Sequence, residues 1–155
     1  MTLRITGLAA EPFAELFSLS DGELEARGAR RCVADTRPGF PCRVSLEDAA
    51  PGEEVLLVNY EHQPAPTPYR AAHAIFVRRL ARDRYDRSDA VPEALRTRPL
   101  SLRAFDASHM MLDADLVAGT ELETLARRLF ADPRVAYVQA HFARRGCYAA
   151  RIERA

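Results

Sequence analysis

Val135-Ala136-Tyr137-Val138-Gln139-Ala140-His141-Phe142-Ala143-Arg144-Arg145-Gly146-Cys147-Tyr148-Ala149-Ala150-Arg151-Ile152-Glu153 is the stretch whose reading decides the fold. Two alternating runs flank a glycine-containing turn, which is the signature of an antiparallel hairpin. With Arg144-Arg145-Gly146 as a three-residue loop and Gly146 in the left-handed position, Ala143 faces Cys147, His141 faces Ala149, Gln139 faces Arg151 and Tyr137 faces Glu153. Ala136, Val138, Ala140, Phe142, Tyr148, Ala150 and Ile152 then share one side of the sheet. Tyr137, Gln139, His141, Arg151 and Glu153 gather on the other. A slip of one residue would mix the two sets, so the pattern selects this register. The polar side is expected to be solvated, as one face of an antiparallel sheet commonly is, with a binding floor as the alternative.

The theme repeats upstream, where residues 100–106 and 109–117 read as a second hairpin. Its apolar side carries Met110, Leu112, Ala114 and Leu116, leaving His109, Asp113 and Asp115 opposite. Ser101 and Arg103 join the polar set if the Asp106-Ala107-Ser108 turn pairs Phe105 with His109. Between the hairpins, Thr120 and Glu123 have capping-box spacing, and Leu122, Leu125, Ala126, Leu129 and Phe130 recur at helical spacing until Asp132-Pro133. Ser20 and Glu23 make another capping box, and with Gly28 as a left-handed stop they predict a helix over 21–27.

Strands are predicted at 3–8, 30–36, 42–46, 54–60 and 71–79, with 42–46 pairing against 54–60 across the turn 47–52. Val55-Leu56-Leu57-Val58 is apolar at successive positions, the mark of a central strand covered on both faces. Residues 80–98 are charged and poorly periodic, and read as a mobile surface loop. Strands follow one another too closely for crossover helices. The fold class is therefore α+β, a mainly antiparallel β-sheet of seven or eight short strands with two helices, in a single domain over 1–155.

Composition narrows the function classes. The 22 basic and 22 acidic side chains cancel to a formal charge of zero, so no general field gathers nucleic acid. Every basic residue is Arg, which reads as the coding bias of a GC-rich bacterium. It also excludes a lysine Schiff base and makes each cation a planar fork suited to carboxylate or phosphate. No apolar run is long enough to span a membrane, and residues 1–10 lack the pattern of a secretion signal. Cys32, Cys42 and Cys147 have no C-x-x-C spacing, so free thiols in a cytoplasmic protein are expected. His62, His73, His109 and His141 lack a metal-ligand spacing, and neither metal nor cofactor is predicted.

Asn59-Tyr60-Glu61-His62-Gln63-Pro64-Ala65-Pro66-Thr67-Pro68-Tyr69-Arg70, followed by His73, is the segment with the most chemistry. Its prolines hold the backbone near polyproline II and lower the entropy cost of presenting side chains. His62, His73 and His141 are the candidate proton-transfer residues. Tyr60, Tyr69, Arg70 and Arg151 are the candidate ligand-binding residues, with Arg70 or Arg151 gripping a small anionic molecule. The alternative is a non-catalytic module that uses the same tyrosine and arginine surface to bind a protein or to form a homodimer.

Gly39-Phe40-Pro41-Cys42-Arg43, the 59–73 loop, Leu102-Arg103-Ala104-Phe105-Asp106 and Gly146-Cys147-Tyr148-Ala149-Ala150-Arg151 together resemble the bacterial family catalogued as domain of unknown function 1203. The similarity runs end to end and implies no activity. Some relatives carry a second cysteine where Ala150 stands here, and its absence argues against an obligatory metal or redox role.

Overall fold

Nine strands form two antiparallel sheets in the computed structural model, which describes residues 1–155. They are β1 (Leu3–Thr6), β2 (Ala29–Val33), β3 (Glu54–Gln63), β4 (Ala71–Arg78), β5 (Asp86–Ser88), β6 (Pro99–Asp106), β7 (Met111–Ala118), β8 (Val135–Phe142) and β9 (Tyr148–Arg154). The helices are α1 (Glu11–Ala14), α2 (Asp21–Ala26), α3 (Glu93–Arg96) and α4 (Leu122–Phe130). One sheet runs β5-β1-β9-β8-β6-β7 and the other β2-β3-β4. The chain is thus α+β.

Each sheet has its own core. Leu122, Leu125, Ala126, Leu129 and Phe130 of α4 bury their stripe against Leu3, Ile5, Leu102, Ala140 and Ile152 of the larger sheet. Phe13, Phe17 and Leu24 from the N-terminal helices pack with Leu56, Val58, Ile75 and Val77 of the smaller one. Burying a side chain of this size contributes about 1.5–3 kcal/mol. Val55 and Leu56 are fully covered, as expected for β3 between two neighbours.

The β8–β9 register agrees with the alternation at Gln139 opposite Arg151 and Ala140 opposite Ala150. Nearer the turn, His141 faces Tyr148 instead of Ala149. The Phe142 N–H donates to the Cys147 carbonyl at 2.9 Å, so the loop spans residues 143–146. It is one residue longer than the sequence reading. Ala149 is the extra residue of a β-bulge that restores the register beyond it. Gly146 has φ +79°, the left-handed conformation expected of it.

Several expectations are corrected. Residues 42–46 are not a strand, because β2 and β4 occupy both edges of β3. Instead the segment is strapped by single hydrogen bonds, Leu8 N–H to Arg43 O and Arg43 N–H to Phe76 O. Residues 80–98 are no loose loop, since β5 pairs with β1 and Leu95 of α3 is fully buried. Ser20 and Glu23 form their capping box, but Thr120 does not cap, because 119–121 make a tight 3₁₀ turn before α4. Phe105 pairs with Met111, not His109. Asp113 and Asp115 lie opposite Ala104 and Leu102 on the α4 side, and Asp115 reaches Arg128 at 2.6 Å. Leu116 faces outward, 71% exposed. β7 is the outermost strand, and it meets the core only through the partly buried Leu112 and Val117, leaving residues 113–116 exposed whichever way they alternate.

The largest correction concerns the polar side of the closing hairpin. Tyr137, Gln139 and His141 are buried, His141 completely. They are covered by the far end of β3 and the proline loop, so the space between the sheets is polar.

Candidate functional site

β3 runs past the end of its own sheet and lays His62 and Gln63 on the β8 face. Gln63 donates from Nε2 to the Tyr137 hydroxyl at 2.8 Å. Gln139 donates from Nε2 to the His62 carbonyl at 2.9 Å, and its Oε1 faces His62 Nδ1 at 3.2 Å and His141 Nε2 at 3.0 Å. The two imidazoles meet edge to face with centroids 4.8 Å apart, and His62 stacks on Tyr148 at 5.8 Å. Burial pushes the His62 pKa down. Burial and the Arg103 charge push His141 down further, to about 3, against the hydrogen bond to Gly146 O. Burial raises the Tyr60 and Tyr148 hydroxyls.

Two cavities flank this buried polar layer. Tyr60, His62 and Arg151 line one of about 420 Å³ together with Tyr148, Arg84 and Glu153. Its charges have both signs, and Arg151 is engaged with Glu153 at 2.9 Å and with the Tyr137 ring at 4.0 Å. His141 lies behind it, held by Gln139. Tyr69 and Arg70 line neither cavity. Tyr69 leans edge-on against Phe105, and Arg70 makes an exposed ion pair with Glu61 at 3.1 Å.

His73 lines the other cavity, a cleft of about 430 Å³ with Arg43, Arg98, Arg144, Arg145, Phe142 and Cys147. No carboxylate lines it. Arg98 is neutralised by a two-pronged grip on Asp48, at 2.5 and 2.9 Å. Arg144 and Arg145 are exposed on the hairpin turn, and no carboxylate lies in ion-pair range of either. The Arg98 and Arg43 guanidiniums both lie over the Phe142 ring, at 5.2 and 4.8 Å. The groove along β2, of similar volume, mixes Asp21 and Glu25 with Arg30 and Arg31. A uniform sign distinguishes the arginine cleft.

Arg43 is the unusual member. Only 2% exposed, it donates to the Tyr148 carbonyl at 2.7 Å, the Pro41 carbonyl at 2.5 Å and the Cys147 sulfur at 2.9 Å. No carboxylate pairs with it. Burial pulls its pKa down to about 10, opposed by the neighbouring Cys147 and Cys42 sulfurs, so it stays charged at neutral pH. An unpaired buried cation costs several kcal/mol. Its strap accounts for its position: Gly7 lies so close that a Cβ there would sit 2.2 Å from Val44 O.

The family described as Protein of unknown function (DUF1203) matches residues 39–154, well over half of the chain. The chain belongs to this family. The match spans both cavities except for Pro38 of the arginine cleft and the Thr6–Ala9 rim of the aromatic one. Neither a curated protein nor a solved structure matches the chain. DUF1203 membership therefore assigns no chemistry, and the geometry has to supply it. No cluster of three or more His, Cys, Asp or Glu side chains is placed to hold a metal, and no helix is long and apolar enough to cross a membrane.

Sequence reasoning found His73 but not the residues that surround it in the cleft. Arg43 and Cys147 lie 104 positions apart, and among 22 arginines nothing local marks the one that is buried. The usable signal was Arg144-Arg145 beside a left-handed glycine, two like charges placed side by side on a tight turn.

Proposed function

We propose that the protein binds a small anionic molecule in the cleft formed by Arg43, Arg98, Arg144, Arg145 and His73. The observation that carries this reading is a cavity with four guanidiniums and no carboxylate on its walls. Planar forks suit carboxylate and phosphate oxygens, and a volume of about 430 Å³ falls within the range of small-molecule sites. The Phe142 ring and the Leu57 and Phe76 side chains supply an apolar wall for the ligand's carbon frame. His73, whose Nδ1 is 3.0 Å from the Ala74 carbonyl, leaves Nε2 as the proton-exchanging atom. The reading includes a bacterial, cytoplasmic protein whose partner is a metabolite and not nucleic acid.

A thermal-shift screen with inorganic phosphate and citrate tests this. A ligand at a hundred times its Kd stabilises by about 2.7 kcal/mol, a rise of roughly 5–10 °C for a chain of this size. The Arg144→Ala/Arg145→Ala double variant is expected to lose most of that rise while keeping the ligand-free melting point. An equal rise in the double variant would place the site elsewhere.

A second reading has its own observation, the convergence of Tyr60, His62 and Arg151 on the 420 Å³ cavity. There Arg84 and Arg151 would meet an anionic group and the stacked His62–Tyr148 pair a flat ring. A ligand response that survives the double variant but disappears with Arg151→Ala selects this cavity.

A further inference from the structure

We propose that the outer edge of β2 is a docking site for an extended peptide segment of another protein, with basic residues at alternate positions, which joins the smaller sheet as an antiparallel fourth strand. The two sheets end in the strands β5, β7, β2 and β4, and three of these edges are closed. On β7 the outward N–H groups of Ala114 and Leu116 donate to the Asp113 and Asp115 carboxylates, each at 2.8 Å. On β4 the strap supplies the partners: Arg43 N–H donates to Phe76 O at 3.0 Å, and Arg78 N–H to Cys42 Sγ at 3.2 Å. β5 is only three residues long. Short strands and covered edge groups are how sheets avoid unwanted pairing. β2 has no such protection.

Asn59 N–H donates to Gly28 O at 3.0 Å and Ala34 N–H to Glu53 O at 2.9 Å. Bonded residues alternate along an antiparallel ladder, so Arg30 and Cys32 turn their backbone groups to β3, whereas Ala29, Arg31 and Val33 turn theirs outward. No strand lies on that side, and nothing else in the chain bonds to those groups. The Val33 side chain is left 63% exposed. The groove beside this edge, about 430 Å³, has all five β2 residues on one wall and Asp21 and Glu25, one helical turn apart, on the other. In strand addition the main-chain bonds give affinity and the alternate side chains give specificity.

Charge sets the chemistry of the partner. Ala29 packs into the core on the helix side, so an added strand turns every second side chain toward α2. There the Asp21 carboxylate, 3.6 Å from Arg31, is still 90% exposed, and Glu25 makes no ion pair. Both would face lysine or arginine of the partner. The intervening side chains lie beside Arg30, which has no carboxylate partner, and an acidic residue fits there. A second copy fits less well. Full-length antiparallel pairing of two β2 strands sets Arg31 against Arg31, and like charges directly opposite destabilise.

The test is a titration of the ¹⁵N-labelled full chain with acetyl-Val-Lys-Glu-Lys-Val-amide, following the backbone amide resonances. Saturable shifts centred on Ala29, Arg31 and Val33 are expected. Methylating the backbone nitrogens of both peptide lysines removes the donors that face β2 and should weaken binding by about tenfold or more. Reversing the charges, in acetyl-Val-Glu-Lys-Glu-Val-amide, or neutralising the wall, in Asp21→Asn/Glu25→Gln, should weaken it by about fivefold, an effect that high salt removes. Absence of a saturable shift, shifts centred outside β2 and α2, or equal binding of the methylated peptide overturns the inference. So does sedimentation of the free chain as a dimer whose Ala29, Arg31 and Val33 amides are already protected from exchange, which would assign the edge to a second copy.

Discussion

Acidification from pH 7 to pH 5 is expected to cost the fold about 2 kcal/mol through His141 alone. The side chain is fully buried, and burial with the Arg103 charge holds its pKa near 3 against an ordinary 6.5. A base with a depressed folded pKa contributes stability that is complete above 6.5 and is lost as the pH falls toward 3. At 1.36 kcal/mol per pKa unit, the unfolded chain gains about 2 kcal/mol of protonation free energy by pH 5, nearly none of which the folded chain shares. Carboxylates barely enter this window, because their unfolded values lie near 4. His62, half-buried and shifted the same way, adds to the slope. The assay is urea unfolding of wild type and His141→Phe at pH 7, 6 and 5, each protein referred to its own pH 7 value so that the packing cost of the substitution cancels. The variant should keep only the shallow slope of His62. One opposing effect could reverse the outcome: both His141 nitrogens face oxygen acceptors, Gly146 O and Gln139 Oε1, each at 3.0 Å, an arrangement that a doubly protonated ring would satisfy. Equal slopes in the two proteins would mean that His141 titrates alike in the folded and unfolded chains, and a wild type that loses less than the variant on acidification would mean that the acceptors win and His141 is a buried cation.

Three further substitutions probe the framework. Gly146→Val forces a branched side chain to φ +79° with open space around it, so the cost is backbone strain of about 1–3 kcal/mol, measured by chemical unfolding. Asp48→Asn leaves the Arg98 guanidinium without its anion; Asp48 is 7% exposed and Arg98 19%. The destabilisation should approach the roughly 3–5 kcal/mol of a broken buried pair, and a loss below 1 kcal/mol would show the pair to be solvated. Arg70→Ala removes an exposed ion pair and should change stability by less than about 0.5 kcal/mol. It should also leave the phosphate-induced melting shift intact, and loss of that shift would return the site to the proline loop.

The parts of the fold legible in the sequence are those where a local rule had no competitor. Ser20 with Glu23, the stripe of α4 and Gly146 all behave as their spacing says. The Gln139–Arg151 register was recoverable even though the loop was counted one residue short, because the Ala149 bulge absorbs the difference. Residues 42–46 show why periodicity alone fails: Cys42, Val44 and Leu46 are buried as an inward strand face would be, but so is Arg43 between them, and the segment pairs with the outer edge of β4 only at a single bridge, Cys42 beside Phe76. The site was harder to read for a related reason. A polar sheet face looks the same in sequence whether water or a second sheet covers it, and only the extension of β3 to His62 and Gln63 decides between them. Arg43 was invisible because arginine is seldom fully buried, and its partners Pro41, Cys147 and Tyr148 come together only in the folded chain.

The most direct test of the arginine cleft is a titration of ¹⁵N-labelled protein with inorganic phosphate, observing the arginine Nε–H resonances assigned by single substitutions. Anion binding in the cleft predicts saturable shifts confined to Arg43, Arg98, Arg144 and Arg145, with Arg70 and Arg151 unmoved. Shifts centred on Arg84 and Arg151, or small unsaturable shifts spread over all the exposed arginines, would contradict it.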